Sequence, residues 1–348
     1  MKHFGIFDPY LHILGGAERY ILAIAQSLSS EYETVLFTKH PDRVGQAQKK
    51  FGFTVSNLTT RPWPDTVAAR LSGLRQLDLL LYVTDGSLFI SPAKKNLLLI
   101  QTPAHIPKRT LVNSFKLRSW QTILCYSQFM ADIISRRLHV QPKTLFVPVS
   151  NRVKKIPEKE NSILSVGRFF PELHNKKQKE MVDIFRTLVP QLPKVQLYLV
   201  GSVDPGGENY LESVKAAAQG LPVNILTNSS YGELCALYAK AKIYWHATGF
   251  SEDLEQFPEK AEHFGVSTIE AMSYGCVPVV FGGGGQKEIV IHGKNGFIWN
   301  YESELVALTQ KLFAEPQLTT KLAKAAHTSS ASYGPEIFNL QLHEILAE

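Results

Sequence analysis

Residues 262–280 read EHFGVSTIEAMSYGCVPVV. The run VSTIEAMSYG (266–275) is expected to form a helix ended by Gly275, leading straight into a strand, VPVVFG (277–282). A helix feeding a wholly apolar strand is the unit of a parallel sheet covered on both faces. Glu262 precedes the expected helix start and Glu270 lies about one turn inside it. Along a continuous helix, eight residues span ~12 Å. Paired glycosidase carboxylates sit at ~5–5.5 Å or ~6.5–9.5 Å. The spacing therefore disfavours an acid–base pair, although a bent approach would shorten it. A carboxylate repels phosphate but accepts hydrogen bonds from neighbouring hydroxyls. The first amides of the helix, roughly Gly265 to Thr268, point out of the fold and favour an anion. A ligand of hydroxyls, then phosphates, then hydroxyls again is a nucleotide sugar.

The same alternation runs outward in both directions. Upstream, SILSVGR (162–168), VQLYLVG (195–201), VNILT (223–227) and KIYWHA (242–247) read as strands, with helices over 176–189, near 207–219 and over 231–241. Downstream come GFIWN (296–300), helical patterns over 302–332 and an amphipathic stretch over 335–346. The first half reads the same way: FGIFD (4–8), a helix over 15–30, TVLFTK (34–39), LDLLLYVTD (77–85), NLLLIQT (96–102), QTILCYS (121–127) and TLFVPV (144–149). Between the halves, SNRVKKIPEKENS (150–162) is polar and charged and is the expected linker. Two doubly wound α/β domains follow, 1–152 and 160–332. Residues 333–348 are expected to form a terminal helix packing back toward the first domain. Such domains facing across a cleft bind ligands beyond the carboxyl ends of their strands.

The chain has 348 residues, 44% hydrophobic and 20% charged, the composition of an ordinary globular protein. No apolar run reaches the ~18–20 residues of a membrane helix, and the N-terminus does not read as a signal peptide. Cys125, Cys235 and Cys276 are far apart, with neither disulfide nor zinc spacing. A cytoplasmic setting is expected. The net charge of +6 is uneven. Residues 1–150 hold 18 Lys and Arg against 9 Asp and Glu; residues 151–348 hold 19 against 22. A basic first half draws phosphates or an anionic membrane surface, or nucleic acid, but no nucleic-acid motif is present.

Two further stretches carry chemistry. Strand 4–8 leads to Gly15-Gly16-Ala17-Glu18-Arg19, where paired glycines at a helix start let a backbone approach a phosphate, or simply make a turn. In SVGRFFPELHNKKQKEMVDIF (165–185), Arg168 ends a strand and Lys176-Lys177 open a helix against its dipole. That placement fits a shared diphosphate, or a solvated basic turn.

With these elements in place, the Glu-x7-Glu block, its continuation AMSYGCVPVV and the segment GGGGQKEIV (282–290) resemble the C-terminal domain of family 4 (group 1) glycosyltransferases of the GT-B fold. GGAER, SVGRF…NKKQ and YSQFMADII (126–134) resemble the same family, in the same order and over nearly the whole chain. The resemblance implies a retaining, metal-independent hexosyltransferase-type enzyme with a nucleotide-diphosphate-sugar donor, a glycan or lipid-linked acceptor, no cofactor and a role in cell-surface polysaccharide synthesis. Arg168 and Lys176, with Lys177 beside it, would hold the diphosphate, and the Gly15-Gly16 backbone would cover it. Glu270 would bind the ribose. Glu262 would bind the transferred sugar, assisted by the amides of Phe264, Gly265, Val266 and Ser267. Glu288 would support the loop. The family's histidine near the donor sugar is displaced here: the strand reads LLLIQTPAHIP (97–107), so Gln101 or His105 would face the sugar. Asp85 is a lesser candidate, equally readable as an N-cap. A non-catalytic nucleotide-sugar-binding subunit, or a GT-B epimerase or phosphorylase, is the alternative. Peripheral contact with an anionic membrane is compatible with the basic first half.

Overall fold

The computed structural model describes residues 1–149, 153–172 and 174–348. Residues 150–152, which open the expected linker and close the expected first domain, lie outside the described residues, as does Leu173. The chain divides into two units: residues 1–148 with 336–348, and residues 149–335.

In the first unit the strands are β1 (Lys2–Phe7), β2 (Tyr32–Phe37), β3 (Leu58–Arg61), β4 (Leu79–Val83), β5 (Lys95–Leu99), β6 (Thr122–Cys125) and β7 (Lys143–Thr144). They pair in the order β3-β2-β1-β4-β5-β6-β7, every pairing parallel. All five residues of β4 are buried, so helices cover both of its faces. The short edge strand β3, LTTR, has no apolar run because its side chains are largely exposed; it was not expected from the sequence. In the expected strand 144–149, residues 145–149 are buried, yet only Lys143–Thr144 pairs as a strand. From Glu336 onward the helix Pro335–Ala347 belongs to this unit and sets Phe338 against Tyr20 and Phe146.

In the second unit β8 (Glu160–Val166), β9 (Gln196–Gly201), β10 (Val223–Thr227), β11 (Ala241–His246), β12 (Val277–Phe281) and β13 (Phe297–Trp299) pair in the order β10-β9-β8-β11-β12-β13, again all parallel. Both sheets thus show the doubly wound 3-2-1-4-5-6 order, with β7 added as a seventh strand in the first. In each, the chain reverses direction across the sheet between the first and fourth strands, opening a crevice at their carboxyl ends. In the second unit that point lies between β8 and β11. The helix Gln178–Leu188 covers this sheet with Met181, Val182, Phe185 and Leu188 on its buried face. Trp245 and Trp299 are fully buried in the same core.

Candidate functional site

In the second unit, the switch point gathers side chains from four separate stretches. β8 ends at Val166, and Gly167-Arg168 follow. Gln178 Nε2 donates to the carbonyls of Gly167 (3.1 Å) and Arg168 (3.0 Å), pinning that turn to the next helix. Arg168 Nη1 lies 2.6 Å from Asp204 Oδ2. Lys176 and Lys177 stand just before the helix Gln178–Leu188 rather than inside it, with Lys177 in the left-handed region at φ 59°. An N-cap position leaves both side chains outside the first turn, so the clash with the dipole anticipated from sequence is softened. Each lysine meets acid: Lys176 Nζ is 2.7 Å from Glu262 Oε2, and Lys177 Nζ is 2.7 Å from Glu252 Oε1.

Glu262 is the hub. Its Oε2 also accepts from His246 Nε2 at 2.8 Å. His246 ends β11 and is buried; Thr248 Oγ1 stands 3.2 Å from the same nitrogen. A carboxylate only accepts, so the Nε2 carries the proton. Burial lowers the His246 imidazole below its ordinary range, which keeps it neutral at pH 7 despite the carboxylate. Burial alone would raise the Glu262 carboxyl. The Lys176 ammonium and the His246 hydrogen bond outweigh it and hold Glu262 well below the usual carboxylate range.

The loop carrying Glu262 is fixed by glycine. Gly285 N donates to the Glu262 carbonyl at 2.8 Å. A Cβ on Gly284, whose φ is 62°, would stand 2.0 Å from that carbonyl oxygen. Gly265 precedes the helix Val266–Ser273 at φ 122°, and a Cβ there would meet Gln286 Nε2 at 2.7 Å. The opening amides of this helix, those of Val266 and Ser267, have no intrahelical partner by geometry. Ser267 Oγ is held 2.7 Å from the Tyr244 hydroxyl, which reaches back to the Val166 carbonyl at 3.4 Å. Phe264 is buried against Tyr333. Glu270 is largely buried, and its Oε2 accepts from the Tyr238 hydroxyl at 3.1 Å. The Tyr333 hydroxyl donates to the backbone carbonyl of Glu288 at 3.3 Å.

The structure therefore brings Arg168, Lys176, Glu262, Ser267 and Glu270 together around one switch point. His246, Thr248, Tyr238 and Tyr244 belong to the same constellation and were not singled out from sequence. The available signal was position: His246 closes a strand at the carboxyl edge, where ligands of such sheets bind.

The first unit has its own switch point, between β1 and β4. Asp8 follows β1 and is fully buried; its Oδ1 accepts from the Tyr10 amide at 2.8 Å, and its Oδ2 has no hydrogen-bond partner. Burial first, and then the nearby Glu18 charge, push the Asp8 carboxyl up to about 7. Gly16 opens the helix Gly16–Leu28, as expected, but the Gly15 amide donates to Glu18 Oε2 at 2.5 Å. An anion at this amide has to displace that carboxylate. His105 stacks on Tyr10 with centroids 5.7 Å apart, and burial lowers its imidazole while Asp85 opposes the shift. Gln101 is half-buried just beyond β5. Asp85 accepts from the Ser87 amide at 3.0 Å, making a turn after β4 rather than a helix cap.

Residues 148–329 match the family model described as glycosyl transferases group 1. The chain is 26% identical over 193 residues to the GDP-Man:Man(3)GlcNAc(2)-PP-Dol alpha-1,2-mannosyltransferase of Dictyostelium discoideum. That match covers 53% of this chain and 36% of the relative. It is 27% identical over 199 residues to the trehalose synthase of Pyrococcus horikoshii, covering 56% and 45%. The matches thus span less than half the length of these curated relatives. Among solved structures, HepE of Anabaena in complex with UDP superposes over all of both chains at 18% identity and a TM-score of 0.77. A glycosyltransferase from Rickettsia africae does so at 15% identity and 0.75, over 99% of this chain and 97% of that one. At these identities the structural likeness establishes the fold: two parallel-sheet Rossmann-like domains of the GT-B type.

Proposed function

The chain belongs to the group 1 glycosyltransferases, and from that membership we propose that it moves a sugar from a nucleotide-diphosphate donor to a glycan or lipid-linked acceptor. The single observation that carries this reading is the Lys176–Glu262–His246 cluster, set at a switch point beside a helix N-terminus. That combination offers a cation and free amides to a diphosphate, and a fixed carboxylate to sugar hydroxyls. HepE has been solved with UDP-glucose, which supports a nucleotide-sugar ligand for this fold.

In this reading Arg168 and Lys176 neutralise the diphosphate as its bond to the anomeric carbon breaks. Lys177, held by Glu252, keeps the turn in place. The Val266 and Ser267 amides assist from the helix start. Glu270 accepts from the ribose hydroxyls, with Tyr238 fixing its second bond. Glu262 keeps one oxygen on Lys176 and His246 and turns the other to the transferred sugar. The acceptor oxygen attacks the anomeric carbon on the face the phosphate leaves, and its proton passes to the departing phosphate oxygen. The configuration is retained and no protein nucleophile is needed. Fixed cations take the place of a divalent ion, so transfer persists in EDTA. The setting is cell-surface polysaccharide or lipid-linked oligosaccharide synthesis at the cytoplasmic side of a membrane.

The test is a calorimetric titration across a panel of nucleotide sugars, followed by product analysis with and without added glycan. A cognate donor binds, and Glu270→Ala weakens it roughly 10- to 100-fold, the worth of hydrogen bonds to a charged group. Undiminished donor binding by that variant removes the ribose assignment. An altered donor formed without acceptor favours an epimerase.

A further inference from the structure

The first unit displays an apolar surface that its own fold leaves uncovered. Leu111, Val112 and Phe115 lie on the helix Leu111–Leu117 and are 92%, 62% and 59% exposed. Their spacing puts them on one face, while Leu117 packs against the core. The helix thus turns most of its apolar residues away from the protein. A second helix, Val67–Leu74, exposes Val67 and Leu71. Phe89 contacts a residue of this second helix and one that follows the first. Arg70 lies 5.9 Å over the Phe89 ring. The Phe89 ring stands 5.2 Å from that of Trp120, just beyond the first helix, and the Phe89 carbonyl accepts from Trp120 Nε1 at 3.1 Å. Ile90, next in the chain, is 52% exposed. Leu111, Val112 and Phe115 therefore form one patch on their helix rather than scattered singles.

The charge around the helix Leu111–Leu117 has one sign. From Gly86 to Ala131 the chain contains no aspartate or glutamate, but holds six lysines and arginines. Four of them, Lys108, Arg109, Lys116 and Arg118, flank or lie on the exposed helix, and among the described residues none makes a salt bridge. An apolar face rimmed by cations without an acidic partner matches a lipid headgroup layer with acidic lipids: side chains enter the acyl boundary while the cations stay with the phosphates. We propose that this surface, centred on Leu111, Val112 and Phe115, docks the protein peripherally on an anionic bilayer. The proposal rests on these side chains alone and holds whatever sugar the second unit binds.

The experiment is cosedimentation of the full chain with vesicles of phosphatidylcholine, alone or with phosphatidylglycerol, at low and high salt. Binding is expected to the phosphatidylglycerol vesicles at low salt, with weak binding to pure phosphatidylcholine. Lys108→Gln with Arg109→Gln should weaken it about thirtyfold, roughly fivefold per cation. Leu111→Ser with Phe115→Ser should weaken it by at least about tenfold. All four positions are exposed, so circular dichroism and the thermal midpoint should stay at wild-type values. Wild-type protein left in the supernatant with anionic vesicles overturns the proposal. So does equal binding to both vesicle types, or a dimer in light scattering that Leu111→Ser with Phe115→Ser dissociates.

Discussion

At the residue scale, buried ionisable groups mark both switch points. Glu262 is ionised and doubly satisfied; Asp8 is buried with one oxygen unpartnered. They respond to pH in opposite ways. The Glu262 carboxyl sits below its ordinary range when folded, so its stabilisation is present above the unfolded value and is lost as pH falls through the folded one. The Asp8 carboxyl is raised from 3.8 to about 7. Between those values the native state holds a proton that the unfolded chain lacks. Stability from this group therefore falls as pH rises toward 7 and stays low above it. Asp8→Asn removes the penalty while keeping the oxygen that accepts from Tyr10. It should stabilise the protein by on the order of a few kcal/mol at pH 8 and by about half as much at pH 5.5. Thermal denaturation of variant and wild type at both pH values measures the difference, and an equal shift at the two would refute the assignment. Glu262 and Glu270 can be singled out in the sequence by their spacing about the expected helix start. Their partners were not: Lys176 is 86 positions from Glu262 and Tyr238 is 32 from Glu270, distances over which no local pattern reports contact.

At the element scale, the glycine run 282–285 illustrates how a loop positions a side chain. The sequence pattern marks it as a loop but does not say what lies against it. In the fold it packs on the backbone of Glu262, and the 2.0 Å approach at Gly284 leaves no room for a methyl group. Gly284→Ala should cost roughly 2–4 kcal/mol, from the clash together with the left-handed φ. The urea midpoint reads this cost, and a variant that unfolds with wild type would show that the loop yields freely. Transfer should fall as well, because the displaced carbonyl belongs to Glu262. Strands buried on both faces, such as β4 and β8, were visible as apolar runs. Edge strand β3 was not, since a strand exposed along most of its length has no hydrophobic period to read. The run 144–149 misled in the other direction: burial makes a segment apolar, but pairing requires a neighbour, and only Lys143–Thr144 has one.

At the scale of the whole molecule, the chain forms two units and its end returns to the first. Phe338 is 1% exposed, against Tyr20 and Phe146. Phe338→Ala should cost about 3 kcal/mol or more. Hydrogen exchange resolves this by unit: amides of β1 and β6 should lose on the order of a hundredfold in protection, while those of β8 and β11 keep theirs. Equal loss in both units, or none, would count against the helix 335–347 as part of the first core. The basic, acid-free stretch of the first unit likewise has its meaning only at this scale, where the apolar face of the helix Leu111–Leu117 stands exposed among its cations. By itself the sequence determined the two α/β halves, the parallel class of both sheets and the family. Those follow from local periodicity, turn residues and short motifs, each confined to a few neighbouring positions. Only the tertiary structure decided that Lys176 and His246 share one oxygen of Glu262, that Glu18 occupies the Gly15 amide, and that Asp8 is buried without a full set of partners. The Glu262 contacts join segments far apart in the chain, the Glu18 contact needs the helix Gly16–Leu28 in place, and all of their energies depend on burial that exists only once the sheets are assembled.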